Sequence, residues 1–439
     1  MIKKLTCLAL IALLVLPLAG CALAEEPTRI VFWHSMSEEA GVLMNQYVRE
    51  FNETVGAEKG IEVELVYQGQ YSESVNKMNN MLSGRSYDTL PDVMQMDATG
   101  KVNYFASGVA YTADDAARED AAFTTGDLLP AALGNWNFSG VQLGVPFATS
   151  TTVLFYNKTL LDSVNVPAPR TFQDIIAMAD ALPGTTPDGR ELTPYAAVPN
   201  TPTLANWLGQ MGSYVVNFRN GSEASATELA CVENGALEAF LTAWKAMYQA
   251  GALKNVSGST DSFVTGQLAL LTSSSSNVTA LRSRIDGAFE LGVSYYPKVN
   301  EDASFGATVS GSCLVMFDHG SEARRAAARE LVMYLTGAGV QADFAVGTGY
   351  IPSNQAAVEE EVYRDLIAEY PQYRVGLEQL ALTPADMRSV TVGPSADFYY
   401  TIQDCVSEML DDDLSPEETA GIMAEELGGL LYQYAQSNP

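Results

Sequence analysis

Side chains able to make and break bonds are few in this chain. It has two histidines, His34 and His319, so a serine–histidine triad would need one of them, and no G-x-S-x-G elbow is present. No cysteine or histidine cluster has metal-ligand spacing, so no metal is expected. The phosphate loop G-x-x-x-x-G-K-[ST] and the dinucleotide fingerprint G-x-G-x-x-G after a strand are both missing. The chain is therefore expected neither to hydrolyse ATP nor to carry a cofactor. Fifty-three Asp and Glu residues leave a glycosidase pair open by counting, but nothing supports one. No catalytic residue is assigned. What remains is recognition chemistry: tyrosines, serines, amides and a carboxylate at the ends of apolar strands.

Those strands and the helices between them are legible from periodicity. Residues 28–33 read as a buried strand. Ser35-Met36-Ser37-Glu38 has capping-box spacing, which predicts a helix from there to about Thr54. The alternation of 61–67 predicts a second strand, and Val75, Met78, Met81 and Leu82 mark one face of a helix from about Ser72. Residues 91–96 form a third apolar run, and this strand–helix alternation means a parallel α/β layer. The pattern resumes with strands at 146–157, 268–272 and 289–296 and a helix at 171–182. A helix at 321–335 is closed by Gly337, and a last one, opened by Ser415-Pro416-Glu417-Glu418, runs to about Gln433. No flexible linker separates two halves, which suggests several crossings and a hinge.

The N-terminus reads as an export signal. Lys3 and Lys4 precede an apolar run from Leu5 to Leu18, shorter than the ~20 residues of a membrane-spanning helix, and Leu18-Ala19-Gly20-Cys21 supplies small residues at a cut site. The tetrad resembles a bacterial lipobox, which implies that residues 1–20 are removed and that Cys21 carries the acyl chains, with 21–27 as anchor and linker. Cys231, Cys313 and Cys405 then remain, odd in number and far apart, and are expected as buried free thiols. Formal charge is −29, two units more negative without Lys3 and Lys4. Such a field disfavours nucleic acid and anionic lipid as partners.

Five dispersed segments carry a resemblance. They are Phe32-Trp33-His34-Ser35-Met36, Tyr67-Gln68-Gly69-Gln70-Tyr71, the strand from Pro146 to Lys158, Gly266 to Ser275, and Gly347-Thr348-Gly349-Tyr350-Ile351-Pro352-Ser353. In this order they resemble the extracellular solute-binding proteins of carbohydrate importers, nearest to glycerol-3-phosphate-binding proteins. The resemblance covers nearly all of the chain after Glu26. It implies two α/β lobes of the periplasmic-binding-protein type II fold with a cleft between them, one lobe from 28–148 and 305–347 and the other from 149–304 and 348–439. It also implies a monomeric, membrane-anchored receptor, on the extracellular face or in the periplasm, that hands a sugar, polyol or glycerol phosphate to permease subunits driven by a separate ATPase. A sensor or adhesion lipoprotein, or a surface hydrolase, is the alternative.

Carried over residue by residue, the resemblance implies ligand contacts at Tyr71, at Asp97 or its neighbour Ala98, and at Ser150, Ser274 or Ser275, Gly311 and Tyr350. Trp33 and His34 join them as residues at the carboxyl end of the first strand, where ligands of open parallel sheets sit. Helix capping is the competing role for Asp97 and for Ser274 or Ser275. Two departures stand out. Tyr399 occupies the place of a phosphate-gripping arginine, and the tryptophan pair expected near Pro199 to Pro202 is absent. A tyrosine gives one hydrogen bond and no guanidinium fork. Arg374 or Arg388 could substitute, but the charge balance tilts toward a neutral sugar or polyol.

Overall fold

The computed structural model describes residues 26–384 and 386–437, so the leader and Cys21 lie outside the described residues. The strands that matter for the cleft are β1 (Thr28–His34), β2 (Ile61–Tyr67), β3 (Val93–Asp97), β4 (Val145–Asn157), β5 (Thr193–Ala196), β6 (Leu268–Ser274), β7 (Leu291–Ser294), β8 (Val309–Phe317) and β9 (Ile351–Pro352). The helices that pack on them are α1 (Glu38–Phe51), α2 (Tyr71–Ser83), α3 (Phe172–Ala181), α4 (Thr201–Gln210), α5 (Ala236–Gln249), α6 (Val278–Ile285), α7 (Glu322–Leu335), α8 (Ala338–Thr348), α9 (Val375–Leu382), α10 (Ser395–Asp411) and α11 (Pro416–Ser437).

The parallel layer expected from the first hundred residues is present: β1 pairs in parallel with β2 on one side and β3 on the other. β3 and the second half of β1 are largely apolar on both faces because both are covered, whereas the edge strand β2 alternates, with Glu62 and Glu64 exposed. Ile30 and Phe32 point into one core with Tyr47, Phe51, Phe147 and Leu331, while Trp33 and Met94 point into another with Tyr104 and Trp136. A second pair of cores lies on the other half of the chain. In the larger, Trp207 stacks between Phe240 (ring centroids 5.3 Å) and Tyr296 (5.2 Å). In the smaller, Val153, Phe155, Leu281 and Tyr373 meet. Each fully buried side chain of this size contributes about 1.5–3 kcal/mol.

One strand joins the halves. The first part of β4 pairs antiparallel with β8, in register Thr149 to Gly311 and Ser150 to Ser310. From Thr152 onward it pairs with β6 instead. The path β2-β1-β3-β8-β4-β6-β5 is thus one hydrogen-bonded surface shared by two lobes. β9 also crosses here, Ile351 pairing with Thr149. The buried Gln379 carboxamide of α9 fastens the junction: it donates to the Thr152 carbonyl (2.7 Å) and the Thr151 hydroxyl (3.3 Å) and accepts from Tyr296 N–H (2.6 Å). Its partners lie on both sides of the changeover. The architecture is the two-lobed α/β fold, with a cleft and several crossings.

Three local expectations need correction. The capping box at Ser35 does not form: the Ser35 N–H goes to Gln95 Oε1 (3.1 Å), and α1 starts after Ser37. Past Phe51 that helix widens into a π turn, Asn52–Gly56, where the Asn52 carboxamide makes a reciprocal pair with the Val63 N–H (2.8 Å) and carbonyl (2.9 Å). Gly337 ends α7 through its N–H to the Tyr334 carbonyl (3.2 Å), but its ordinary φ of −65° makes it the opening residue of α8 as well. The last helix does carry its expected cap: Glu418 N–H donates to Ser415 Oγ (3.2 Å) and Ser415 N–H to the Glu418 carboxylate (2.9 Å). Cys231, Cys313 and Cys405 are buried and free.

Candidate functional site

Parallel strands leave their last peptide groups and the following helix N-termini facing one edge of the sheet. On this edge two recesses open. The larger, about 900 Å³, is walled by Ser35, Tyr67 and Tyr71 from the first lobe, Ser276 and Thr279 from the second, and Tyr350 from the crossing. The smaller, about 360 Å³, is walled by Asp97 and Asn103, by Thr201, by Ser310 and Gly311, and by Ser389 to Gly393. Between them runs the hinge of β4, where Ser150 is buried opposite Ser310. A third hollow, about 460 Å³ beside α2, contains no strand-end residue.

The floor of the larger recess is a polar relay built on Gln95. This glutamine is fully buried in β3, between Met94 and Met96. Its Oε1 must accept, because Ser35 N–H can only donate to it; its Nε2 is then fixed toward Tyr71 Oη (3.1 Å) and Ser312 Oγ (2.9 Å). Tyr71, Tyr350 and Ser276 line the same recess, and the three hydroxyls are near enough to influence one another's ionisation. Burial holds both phenols above their ordinary pKa, so each keeps its proton to donate. Tyr350 is braced from behind by Phe344, stacked at 5.5 Å.

In the smaller recess Asp97 accepts from the Thr99 N–H (3.1 Å) and hydroxyl, so its capping role is real, and it lines the recess as well. Burial raises its pKa, and the hydrogen bonds from Thr99 pull it back. The buried Lys101 ammonium donates to the Asn135 carbonyl (3.0 Å) and stays out of both recesses. Gly311 sits at φ +102°, and a Cβ there would lie 1.8 Å from the Ala148 carbonyl oxygen. Only glycine lets β8 approach β4 this closely beside the recess.

The structure thus brings Tyr71, Tyr350, Asp97 and Gly311 to the recess walls and Ser150 to the hinge between them. Ser275 accepts from Thr151 N–H (3.3 Å) and fastens the crossing, while Ser274 pairs with Ser276 (2.9 Å) and caps the short turn before α6. Two expected residues face away. Trp33 packs into the core under Lys77, whose ammonium is 4.3 Å from the ring centroid. His34 is 3% exposed, and burial lowers its pKa to about 4, so the ring is neutral at pH 7. Both belong to the strand itself, whose alternation sends them to the cores; the strand-end site starts at Ser35. Tyr399 lines neither recess and instead accepts from the Asn200 carboxamide (3.3 Å).

Arg374 is spent on Glu378 (2.9 Å), and Arg388 lines a separate recess of about 190 Å³ with Tyr214 and Asn220. Among the described residues, no lysine or arginine lines either part of the cleft. Sequence reading missed Gln95, Ser312, Ser276 and Thr201. A polar amide inside an otherwise apolar strand was the available signal for Gln95, since such a group is kept only where its bonds are made.

Comparison with known proteins gives a consistent result. Residues 46–373 match a family described as bacterial extracellular solute-binding protein. The sn-glycerol-3-phosphate-binding periplasmic protein UgpB of Yersinia enterocolitica is 24% identical over 380 residues, 84% of each chain. Among solved structures, UgpB from Mycobacterium tuberculosis in complex with glycerophosphocholine superposes at a TM-score of 0.70 and 20% identity, covering 93% of this chain and 99% of that one. The GacH receptor of Streptomyces glaucescens, solved unliganded and with acarbose, gives 0.72 and 18%, covering 92% and 98%.

Proposed function

We propose, for a chain that belongs to the bacterial extracellular solute-binding proteins, the role of receptor for a neutral sugar or polyol in an ABC-type importer. The observation that carries the neutral assignment is the lining of the cleft. Tyrosines, hydroxyls and the Asp97 carboxylate face it, while lysine and arginine are missing from the described walls. Aromatic faces suit the apolar faces of a sugar ring, and hydroxyls and carboxylates suit its rim. A phosphate would meet an acidic chain and cleft walls without a described lysine or arginine, and Tyr399, which the resemblance puts in the place of the gripping arginine, lines neither recess.

Binding works by closure. The two recesses take groups from both lobes, so a solute that touches both favours the closed form by its differential contacts. The changeover within β4 and the entry of β9 support lobes made of 28–148 with 305–347 and of 149–304 with 348–439. The closed form then docks on a permease whose ATPase is a separate subunit. The Leu18-Ala19-Gly20-Cys21 tetrad supports cleavage before Cys21 and acylation of its thiol, which would hold the receptor at the outer membrane face.

Thermal melting with maltose, maltotriose, sorbitol, glycerophosphocholine and glycerol 3-phosphate tests the assignment. A neutral sugar or polyol should raise the midpoint, by mass action on the folded state. A shift with glycerol 3-phosphate alone would overturn the neutral assignment, and flat curves throughout would overturn the carbohydrate reading.

A further inference from the structure

Two loops touch across the gap between the proposed lobes, and neither belongs to the crossing strands. In the first lobe, the short hairpin of residues 137–142 pairs Asn137 with Gln142 and Phe138 with Val141. Its two loop residues, Ser139 and Gly140, have φ of +49° and +79°, the signs of a type I′ turn. Phe138 roots the hairpin in the core beside Trp136. From the tip, Ser139 N–H donates to the Ser222 carbonyl (3.0 Å) and Ser139 Oγ to the Glu223 carbonyl (3.1 Å), both in the second lobe. Those acceptors follow a strained turn. Phe218, Arg219, Asn220 and Gly221 all have positive φ, from +51° to +73°. Consecutive left-handed residues are costly and persist only where their surroundings hold them. Here the Asn220 side chain accepts from Val215 N–H (2.7 Å) and donates to the Arg388 carbonyl (2.8 Å), and the Asn220 carbonyl accepts from Thr391 N–H (2.8 Å). Thr391 is part of the wall of the smaller recess.

We propose that hairpin and turn form a latch between the lobes, closed by the N–H and hydroxyl of Ser139. The strained turn holds its two carbonyls at the hairpin tip, and Asn220 ties that turn to the segment walling the smaller recess. Rotation at the crossings that parts the lobes here breaks both bonds to Ser139. The latch therefore favours the closed form by its own contacts, and a solute has less of the closing free energy to supply. Both acceptors are backbone carbonyls, so the contact needs a donor at position 139 and no particular charge. The proposal rests on the closure reading and adds what holds the lobes shut besides the solute.

Ser139→Asp and Ser139→Asn test the latch in the purified protein. Both residues tolerate left-handed φ and sit before a glycine in favoured I′ turns, so both keep the hairpin. The Asn amide still donates, whereas the Asp carboxylate only accepts and would face the Glu223 carbonyl. Small-angle scattering without solute should give Ser139→Asp a larger radius of gyration than wild type and leave Ser139→Asn equal to wild type. Should Ser139→Asp not fold, Ser139→Gly, which drops the hydroxyl and keeps the φ, carries the same expectation. Calorimetric titration with maltotriose, sorbitol and glycerophosphocholine adds a second readout. For whichever probe binds wild type, Kd should rise about threefold in Ser139→Asp and stay within about twofold in Ser139→Asn, the effect of one exposed hydrogen bond on the closed population. Equal radii in all the proteins overturn the latch. Expansion in Ser139→Asn as well overturns the assignment of the donor. Failure of wild type to bind any of the three probes overturns the receptor reading, and the scattering comparison still decides the latch.

Discussion

Gln95 and His34 are both buried polar side chains behind the cleft, and they differ in how well they are satisfied. Gln95 uses both ends of its amide on three elements, and by donating into Tyr71 Oη it leaves the phenol's own proton to point away from β3. That sets Tyr71 as a donor toward Tyr350 or a solute. His34 has no partner at Nδ1 among the described residues. Its ring titrates near 6.5 when exposed, and burial lowers this to about 4 in the folded protein. Between those values the unfolded chain binds more protons than the folded one, so His34 costs stability as pH falls through that window. Wild type should therefore lose melting temperature faster than His34→Gln from pH 6.5 down to 4. Parallel curves for the two proteins would mean that the folded ring protonates freely.

At the scale of elements, the hinge depends on how closely two antiparallel strands can meet. β8 passes β4 at Gly311, whose φ of +102° and missing side chain leave room for the Ala148 carbonyl. A methyl there would combine backbone strain with overpacking, for an expected loss of about 2–4 kcal/mol. Urea unfolding of Gly311→Ala measures this, and a change below ~0.5 kcal/mol, the range of an ordinary surface substitution, would show that the strands slide apart at no cost. The same strands explain the site errors. Alternation placed Trp33 and His34 in cores on either side of β1, and it could have been read from the period of two. The partner of Ser35 could not, because Gln95 is sixty residues away in sequence.

At the scale of the molecule, two lobes with separate cores share one continuous sheet path, so the proposed closure would be a rotation about a few peptide units that leaves the cores intact. Domain closure of this kind concentrates the φ/ψ change in a few residues at the crossings. Small-angle scattering should show a smaller radius of gyration once a binding probe saturates the cleft. An unchanged profile with bound ligand would replace closure by capture in a rigid groove.

Local rules settled the alternation of strands and helices, the cap at Ser415 and the absence of catalytic motifs, because each depends on residues a few positions apart. Dispersed segments also pointed to the right family, since their order along the chain survives divergence. Contacts made across the sheet were decided only in three dimensions. Gln95 with Ser35, Tyr71 and Ser312, the pairing of Gly311 with Thr149, and the meeting of Asp97 with Thr201 in one recess all join distant stretches. Periodicity fixes which face a residue takes, but strand order and register decide which residue it meets there.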